Sequence, residues 1–239
     1  MKLIASVVVY NEKPIVLQRL IDDFLSINFE KKLFIIDNSP KNTLEEFCSA
    51  YNNVIYIFNN NNLGFGKAHN ISLRYIDDSD IYLVLNPDIY FQSSQMEGFL
   101  KWFMDSSDIV LAIPKILNID GTTQHVAREI PTPISLLKRK FHIEKGEINI
   151  ADNSIVEIPF AHGCFMAFKG QVFKKLDGFD ERYFMYMEDI DIWIRAKRYG
   201  KTVINTNFSI YHEHRKGSSR SIKLFFIHLL SAIKFFIDQ

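Results

Sequence analysis

Two rhythms of apolar and polar positions alternate along the first part of the chain. Leu3 to Val9 is a continuous, Val-rich apolar run, the mark of a strand covered on both faces. Pro14 suits a helix start, and Ile15, Leu17, Leu20, Ile21, Phe24 and Leu25 follow at helical spacing. Leu33 to Ile36 is a second β-type run that stops at Asp37. The pattern then repeats, with a helix from Thr43 to Ala50, a strand from Val54 to Phe58, a helix beginning near Phe65 and a strand from Ile81 to Leu85. Such alternation predicts an α/β fold with a mostly parallel sheet flanked by helices and right-handed crossovers.

Ligands of such sheets sit outside the carboxyl ends of the strands. Three polar clusters fall there: Tyr10-Asn11-Glu12, Asp37-Asn38-Ser39 and Asn86-Pro87-Asp88. Past Phe91 the rhythm loosens into a helix from Ser94 to Met104, then short strands and loops around Pro114, Pro131, Pro133 and Pro159. Polar, Lys-rich residues from Lys138 to Asn153 predict an exposed, mobile excursion, because a long loop with few apolar residues gains little from ordering. From Ser221 to Ile237 apolar residues cover more than half of a helical wheel, interrupted by Lys223, His228 and Lys234. That stretch is too short and too charged to span a bilayer, so it docks on its own domain, on a partner or on a membrane interface. Arg215, Lys216 and Arg220 just upstream would add attraction to anionic lipid.

Composition narrows the class. The 239 residues are 47% hydrophobic, enough for one large core, and a single globular domain is the favoured reading. Lys plus Arg total 28 and Asp plus Glu total 28, so no net field attracts nucleic acid. Cys48 and Cys164 stand alone, without disulfide or zinc spacing, which fits a reducing cytoplasm. The opening MKLIASVVVYNE lacks a small-residue cleavage site and reads as a buried strand, not a signal peptide.

Four segments carry candidate chemistry. In LVLNPDIYF a buried strand delivers Asp88 past its carboxyl end, where one carboxylate together with phosphate oxygens suits Mg2+ or Mn2+. In GFDERYFMYMEDIDIWIRAKRYG, Glu188, Asp189 and Asp191 crowd a helix start among Phe179, Tyr183, Phe184 and Tyr186. A helix dipole alone accounts for acids at that position, but carboxylates partly desolvated by aromatics gain strength as bases. In NNLGFGKAHN, Gly64 and Gly66 permit close backbone approach to an anion, and Lys67 could meet phosphate. In SIYHEHRKGSSR, His212 can complete a metal site, while Arg215 and Ser219 suit a diphosphate.

Taken in this order, SVVVYNE, FIIDNSP, NNLGFGKAHN, LVLNPD, AHGCFMAFKGQVFKKLDGFDERYFMYMEDIDIWIRAKRYG and YHEHRKGSSR resemble the family 2 glycosyltransferases, closest to the bacterial rhamnosyltransferase-like branch. The resemblance spans nearly the whole chain and implies the Rossmann-like GT-A fold. It implies that Asp37 reads the base or ribose of a nucleotide, that Asp88 is the metal-binding acid of a DxD-like element, that Asp189 is the general base, and that His212 is the late metal or diphosphate histidine. The first acid of the DxD pattern is replaced by Asn86.

The implied reaction is inverting transfer from a nucleoside-diphosphate sugar, dTDP-rhamnose or a UDP-hexose, to a hydroxyl of a glycan or lipid-linked acceptor in bacterial surface polysaccharide synthesis. Tyr10, Asn11, Glu12, Asp37, Asn38, Gly64, Lys67, Asn86, Arg215 and Ser219 are then donor-binding candidates, Asp88 and His212 metal ligands, and Asp189 the base with Glu188 in reserve. Residues 1–215 form the transferase domain, with 1–91 the nucleotide-binding half and 92–215 the acceptor and catalytic half. Residues 216–239 hold the amphipathic helix, a candidate contact for a membrane or a second copy. A nucleotidyltransferase would carry a glycine-rich basic loop where this chain has Tyr10-Asn11-Glu12-Lys13-Pro14. A non-catalytic carbohydrate-binding scaffold would have no need of Asp88 and Asp189.

Overall fold

The computed structural model describes residues 1–140, 143, 146–213 and 222–237. In chain order the elements are β1 (Leu3–Val9), α1 (Pro14–Ser26), β2 (Lys31–Asp37), α2 (Glu45–Ser49), β3 (Val54–Phe58), α3 (Phe65–Asn70), β4 (Ile81–Leu85), β5 (Ile89–Tyr90), α4 (Ser93–Asp105) and β6 (Ile109–Leu117). There follow β7 (Ala127–Arg128), α5 (Pro133–Lys140), β8 (Ile155–Glu157), β9 (Phe160–Ala161), β10 (Phe165–Lys169), α6 (Gly170–Lys175), α7 (Glu188–Ala196), β11 (Lys201–His212) and α8 (Ile222–Ile237).

The main sheet runs β3-β2-β1-β4-β10-β6-β11-β5, with β8 added on β11. Its first four strands are parallel, as their two-sided apolar runs require. Past β4 the sheet becomes mixed, because β10 lies antiparallel between β4 and β6 while β11 runs parallel to β6. A second, two-stranded sheet pairs β7 with β9.

Helices α1 and α4 meet over one face, where Phe99 packs edge-on to Phe165. Helices α3 and α6 cover the other, where Phe173 packs on Tyr82 and Phe168. Within that apolar layer Ser6 Oγ bonds His69 Nδ1 at 2.6 Å and the Tyr82 hydroxyl at 2.5 Å, and Ser72 Oγ donates to Tyr82 at 2.8 Å. Burial pushes His69 down to about 3, so the network is neutral and each hydroxyl satisfies another.

The stretch after Lys138 differs from its expected free excursion. Its beginning completes α5, and Ile148 and Ile150 pack against the core. Glu147 meets Arg128 at 3.3 Å and Asp152 meets Lys115 at 2.5 Å. Two isoleucines and two ion pairs give this loop the anchors that its overall polarity conceals; residues 141, 142, 144 and 145 lie outside the described residues.

Two loops distant in sequence meet at Gly64. Its φ of +84° is a conformation that glycine adopts freely, and a Cβ there would overlap the Phe184 carbonyl. That carbonyl accepts the Phe65 N–H at 2.9 Å. Gly64→Ala therefore combines backbone strain with a steric clash, and a loss of about 2–4 kcal/mol is expected in urea unfolding. An unchanged urea midpoint would contradict this close approach.

Candidate functional site

Asp88 sits in the turn between β4 and β5. The Asn86 N–H donates to the Cys164 carbonyl at 2.9 Å, tying the turn to the segment before β10. Antiparallel pairing of β5 with β11 sets Ile89 opposite His212, and the Asp88 carbonyl accepts the Glu213 N–H at 3.0 Å. The outcome is a buried pair, with Asp88 Oδ1 3.3 Å from His212 Nε2.

Gln124 orients that imidazole. Its amide nitrogen donates to Asn118 Oδ1 and to the His212 carbonyl, both at 2.7 Å. Its oxygen must then accept, and His212 Nδ1 lies 3.0 Å from it. His212 Nε2 thus faces the Asp88 carboxylate, so that an imidazole nitrogen and a carboxylate oxygen are directed at one point. A hard oxygen and an imidazole oriented by a second hydrogen bond fit a divalent ion. Among the described residues no group of three or more His, Cys, Asp or Glu side chains gathers at one point, so this pair would leave further coordination positions for phosphate and water.

The acids of α7 emerge from a strained turn. Tyr186 and Met187 both have φ of 70°, rare for bulky residues and typical of sites where the surrounding fold imposes a geometry. The two acids that follow it have different surroundings. Glu188 is buried and its Oε2 has no hydrogen-bond partner among the described residues. Burial first, and the neighbouring Asp189 second, push its carboxyl up to about 8. Asp189 keeps 19% of its side chain exposed, accepts the Ile190 N–H at 2.9 Å and lies 3.9 Å from His162 Nδ1. The strongly desolvated acid of the pair is therefore Glu188. Asp191 instead bonds Arg195 at 2.7 Å, whose other nitrogens bond the Leu176 and Gly178 carbonyls, a structural clasp.

Cys164 links the two acidic centres. Burial, then the Asp88 charge and more weakly that of Asp189, push its thiol up to about 12, so both carboxylates act on one buried atom. A Cβ added at the adjacent Gly163 would lie 3.6 Å from Asp189 Cβ. The segment before β10 thus packs between the strand-end acid and the helix-start acid.

On the other side of β4, Asp37 is fully buried at the end of β2 and accepts the Ser39 N–H at 2.8 Å and the Tyr56 hydroxyl at 2.7 Å. Asn38 turns into the protein, bonding the Gly64 carbonyl at 3.0 Å and Asn59 at 2.8 Å, so it braces the glycine loop. The Asn11 N–H bonds Ser39 Oγ at 2.7 Å, while Tyr10 is 54% exposed and Glu12 accepts the Lys13 N–H. Lys67 pairs at the surface with Glu181 at 2.9 Å, which occupies the ammonium expected to meet phosphate. Arg215 and Ser219 lie outside the described residues.

Helix α8 packs on the strained turn. Ser231 Oγ donates to the Met185 carbonyl and Lys234 to the Arg182 carbonyl, both at 2.8 Å, and His228 stacks 4.8 Å from Tyr186. Among the described residues no helix is long and apolar enough to cross a membrane. Sequence reading assigned no role to Gln124, His162, Cys164 or His228. His162 and Cys164 lie in the AHGC segment that carried the family resemblance; Gln124 has no local signal, since its role depends entirely on pairing with β11.

The sequence profile described as Glycosyl transferase family 2 matches residues 5–177. Rhamnosyltransferase WbbL of Escherichia coli K12 is 25% identical over 232 residues, covering 92% of this chain and 87% of that protein. The low-salt glycan biosynthesis hexosyltransferase Agl10 of Haloferax volcanii is 29% identical over 69% of this chain, which spans 52% of that protein, about half its length. Among solved structures, GalNAc-T7 with UDP, GalNAc and Mn2+ aligns with a TM-score of 0.70 at 16% identity, over 92% of this chain and 45% of that one. The mannosyltransferase PcManGT of Pyrobaculum calidifontis in complex with GDP-Man and Mn2+ aligns with 0.63 at 14%, over 97% and 64%. At such identities the likeness is one of fold, the GT-A fold. The profile runs from β1 to just beyond α6 and takes in the strand ends that carry Asp37 and Asp88, and the chain belongs to glycosyl transferase family 2.

Proposed function

We propose that this protein is an inverting, divalent-metal-dependent hexosyltransferase, moving a sugar from a nucleoside-diphosphate sugar to a hydroxyl of a glycan or lipid-linked acceptor in surface polysaccharide synthesis. The observation that carries the reading is the buried Asp88 Oδ1 held 3.3 Å from His212 Nε2, with Gln124 orienting the ring. Rhamnosyltransferase WbbL among the relatives favours a deoxythymidine-diphosphate rhamnose donor, and the Mn2+ bound by GalNAc-T7 and PcManGT favours Mn2+ over Mg2+. The mycobacterial relative named N-acetylglucosaminyl-diphospho-decaprenol L-rhamnosyltransferase, 25% identical over 74% of this chain and 64% of its own length, favours a lipid-linked acceptor.

In this reading the donor lies along the carboxyl ends of β1, β2 and β4. Asp37, already bonded to Tyr56 and Ser39, offers a fixed carboxylate to the ribose or base. Tyr10, Asn11 and Glu12 line the approach, and Gly64 lets the backbone come close to the diphosphate. Asp88 and His212 would hold the metal, which when bound stabilises charge on the departing diphosphate. Asp189 takes the acceptor hydroxyl proton as that oxygen bonds the anomeric carbon. The bond from that carbon to the phosphate oxygen breaks with its electron pair left on the diphosphate, and one displacement inverts the centre. Burial favours the protonated form of Glu188, so in this reading it braces the turn that aims Asp189 and leaves the proton transfer to Asp189.

Asp189→Asn should lower kcat by about 100-fold to 10,000-fold while donor affinity stays within about twofold, as loss of a general base requires. Near-normal turnover of this variant, with purified donor and acceptor, would falsify the base assignment.

Asp88→Ala and His212→Ala should each abolish the extra thermal stability that a nucleotide sugar confers in the presence of Mn2+, since a ligand binding only the native state raises its apparent stability. Screening wild type against a panel of nucleotide sugars, with and without Mn2+, tests the function itself. If no nucleotide sugar shifts the melting temperature, the proposal fails.

Glu188→Gln imitates the protonated acid and should keep most of the activity. Its stability profile carries a definite sign. The Glu188 carboxyl is raised from 4.5 to about 8 in the folded protein, so its contribution is fully present below the unfolded value and is lost as pH rises through 8. Metal-free melts at pH 5 and pH 8.5 should show wild type losing more stability than Glu188→Gln; parallel losses would mean that the carboxyl is charged throughout.

A further inference from the structure

Helix α8 shows two different faces. One docks on the domain through Ser231, Ala232 and Phe235, with His228 against Tyr186 and Ser231 bonded to Met185. The other carries Phe225, Phe226, Leu229, Leu230, Ile233 and Ile237, each between 42% and 76% exposed. These six positions share one side of the helix by their spacing. Side chains of this size are normally turned inward, and a contiguous exposed set marks a contact surface.

Charge and area identify what covers it. The chain as a whole balances 28 basic against 28 acidic residues, yet residues 214–237 contain Arg215, Lys216, Arg220, Lys223 and Lys234 and no Asp or Glu. An apolar strip joined to an all-basic segment matches a bilayer with anionic headgroups, where each Lys or Arg near the surface adds attraction. A second copy is a weaker fit. The exposed strip offers on the order of 600 Å2, below the roughly 800 Å2 per partner of a standard stable interface.

We infer that the outer face of α8 is a docking surface for an anionic lipid bilayer, and that docking there brings residues 182–187 and Asp189 to the membrane, where a lipid-linked acceptor presents its hydroxyl. Helix α8 lies flat on the interface and does not cross it, consistent with its 16 residues. Ser231 and Lys234 grip the carbonyls of Met185 and Arg182, so the membrane-facing helix and the turn before the proposed base move as one piece. The lipid-linked acceptor belongs to the function proposed above; the docking surface stands on α8 alone.

The test is sedimentation of the full chain with phosphatidylglycerol–phosphatidylcholine vesicles, without donor, acceptor or metal, so that its outcome is independent of transferase activity. Wild type should sediment with these vesicles and much less with phosphatidylcholine alone, and the binding should weaken in high salt. Phe226→Glu and Leu230→Glu, both on the exposed face, should each weaken binding at least about tenfold while the melting temperature holds. Failure of wild type to sediment with the anionic vesicles, or equal binding by the variants, would overturn the inference. So would a micromolar wild-type dimer in light scattering that the same substitutions convert to monomer, which would assign the face to a second copy.

Discussion

A two-residue strand holds the candidate site together. β5 pairs with the last two residues of β11, and the Asp88 carbonyl extends the pairing to Glu213. That short ladder carries Asp88, at the end of the parallel half of the sheet, to His212, 124 residues later in a strand of the other half. Side chains alone could not hold two buried polar groups at 3.3 Å. Backbone hydrogen bonds fix the register, and the tertiary structure supplies the energy that the pair lacks on its own. Gln124 then orients the ring, and Asn86 ties the same turn to the segment ahead of β10.

The two acids of α7 show how a fold gives neighbours different chemistry. Glu188 and Asp189 are adjacent in sequence and similar in intrinsic acidity, yet one is enclosed, which favours its protonated form, while the other reaches a partly open surface beside His162. Consecutive positions at the start of one helix point about 100° apart, so one acid faces the core and the other the surface. The strain of the turn at Tyr186 and Met187 is opposed by α8 on one side and by the glycine loop on the other, since Phe184 bonds Phe65 and Met185 bonds Ser231.

Much of this was legible in the sequence, for reasons that differ between elements. The runs LIASVVV, KKLFIID and IYLVL announce strands covered on both faces, and their polar endings mark the ligand edge. The family likeness rests on the same segments. The insertion of β10 between β4 and β6 had no such signal, because four apolar residues and a lysine do not say which strands they join. Position along the chain makes Asn38 and Lys67 donor-binding candidates, but not the bonds that Asn38 makes to Gly64 and Lys67 to Glu181, which arise from loops distant in sequence. The Lys-rich stretch before Asn153 looked free because its two anchoring isoleucines are outnumbered by polar residues.

The interleaved strand order also governs how the molecule is assembled. β4 has an edge that only β10 covers, and β6 cannot take its parallel neighbour until β11 has been made. A nascent chain ending near residue 100 therefore displays an apolar, unpaired strand edge, the kind of surface that recruits other chains. Closing the sheet depends on pairings between residues about 80 to 120 positions apart, which makes folding slow for a domain of this size and places its most aggregation-prone interval during synthesis.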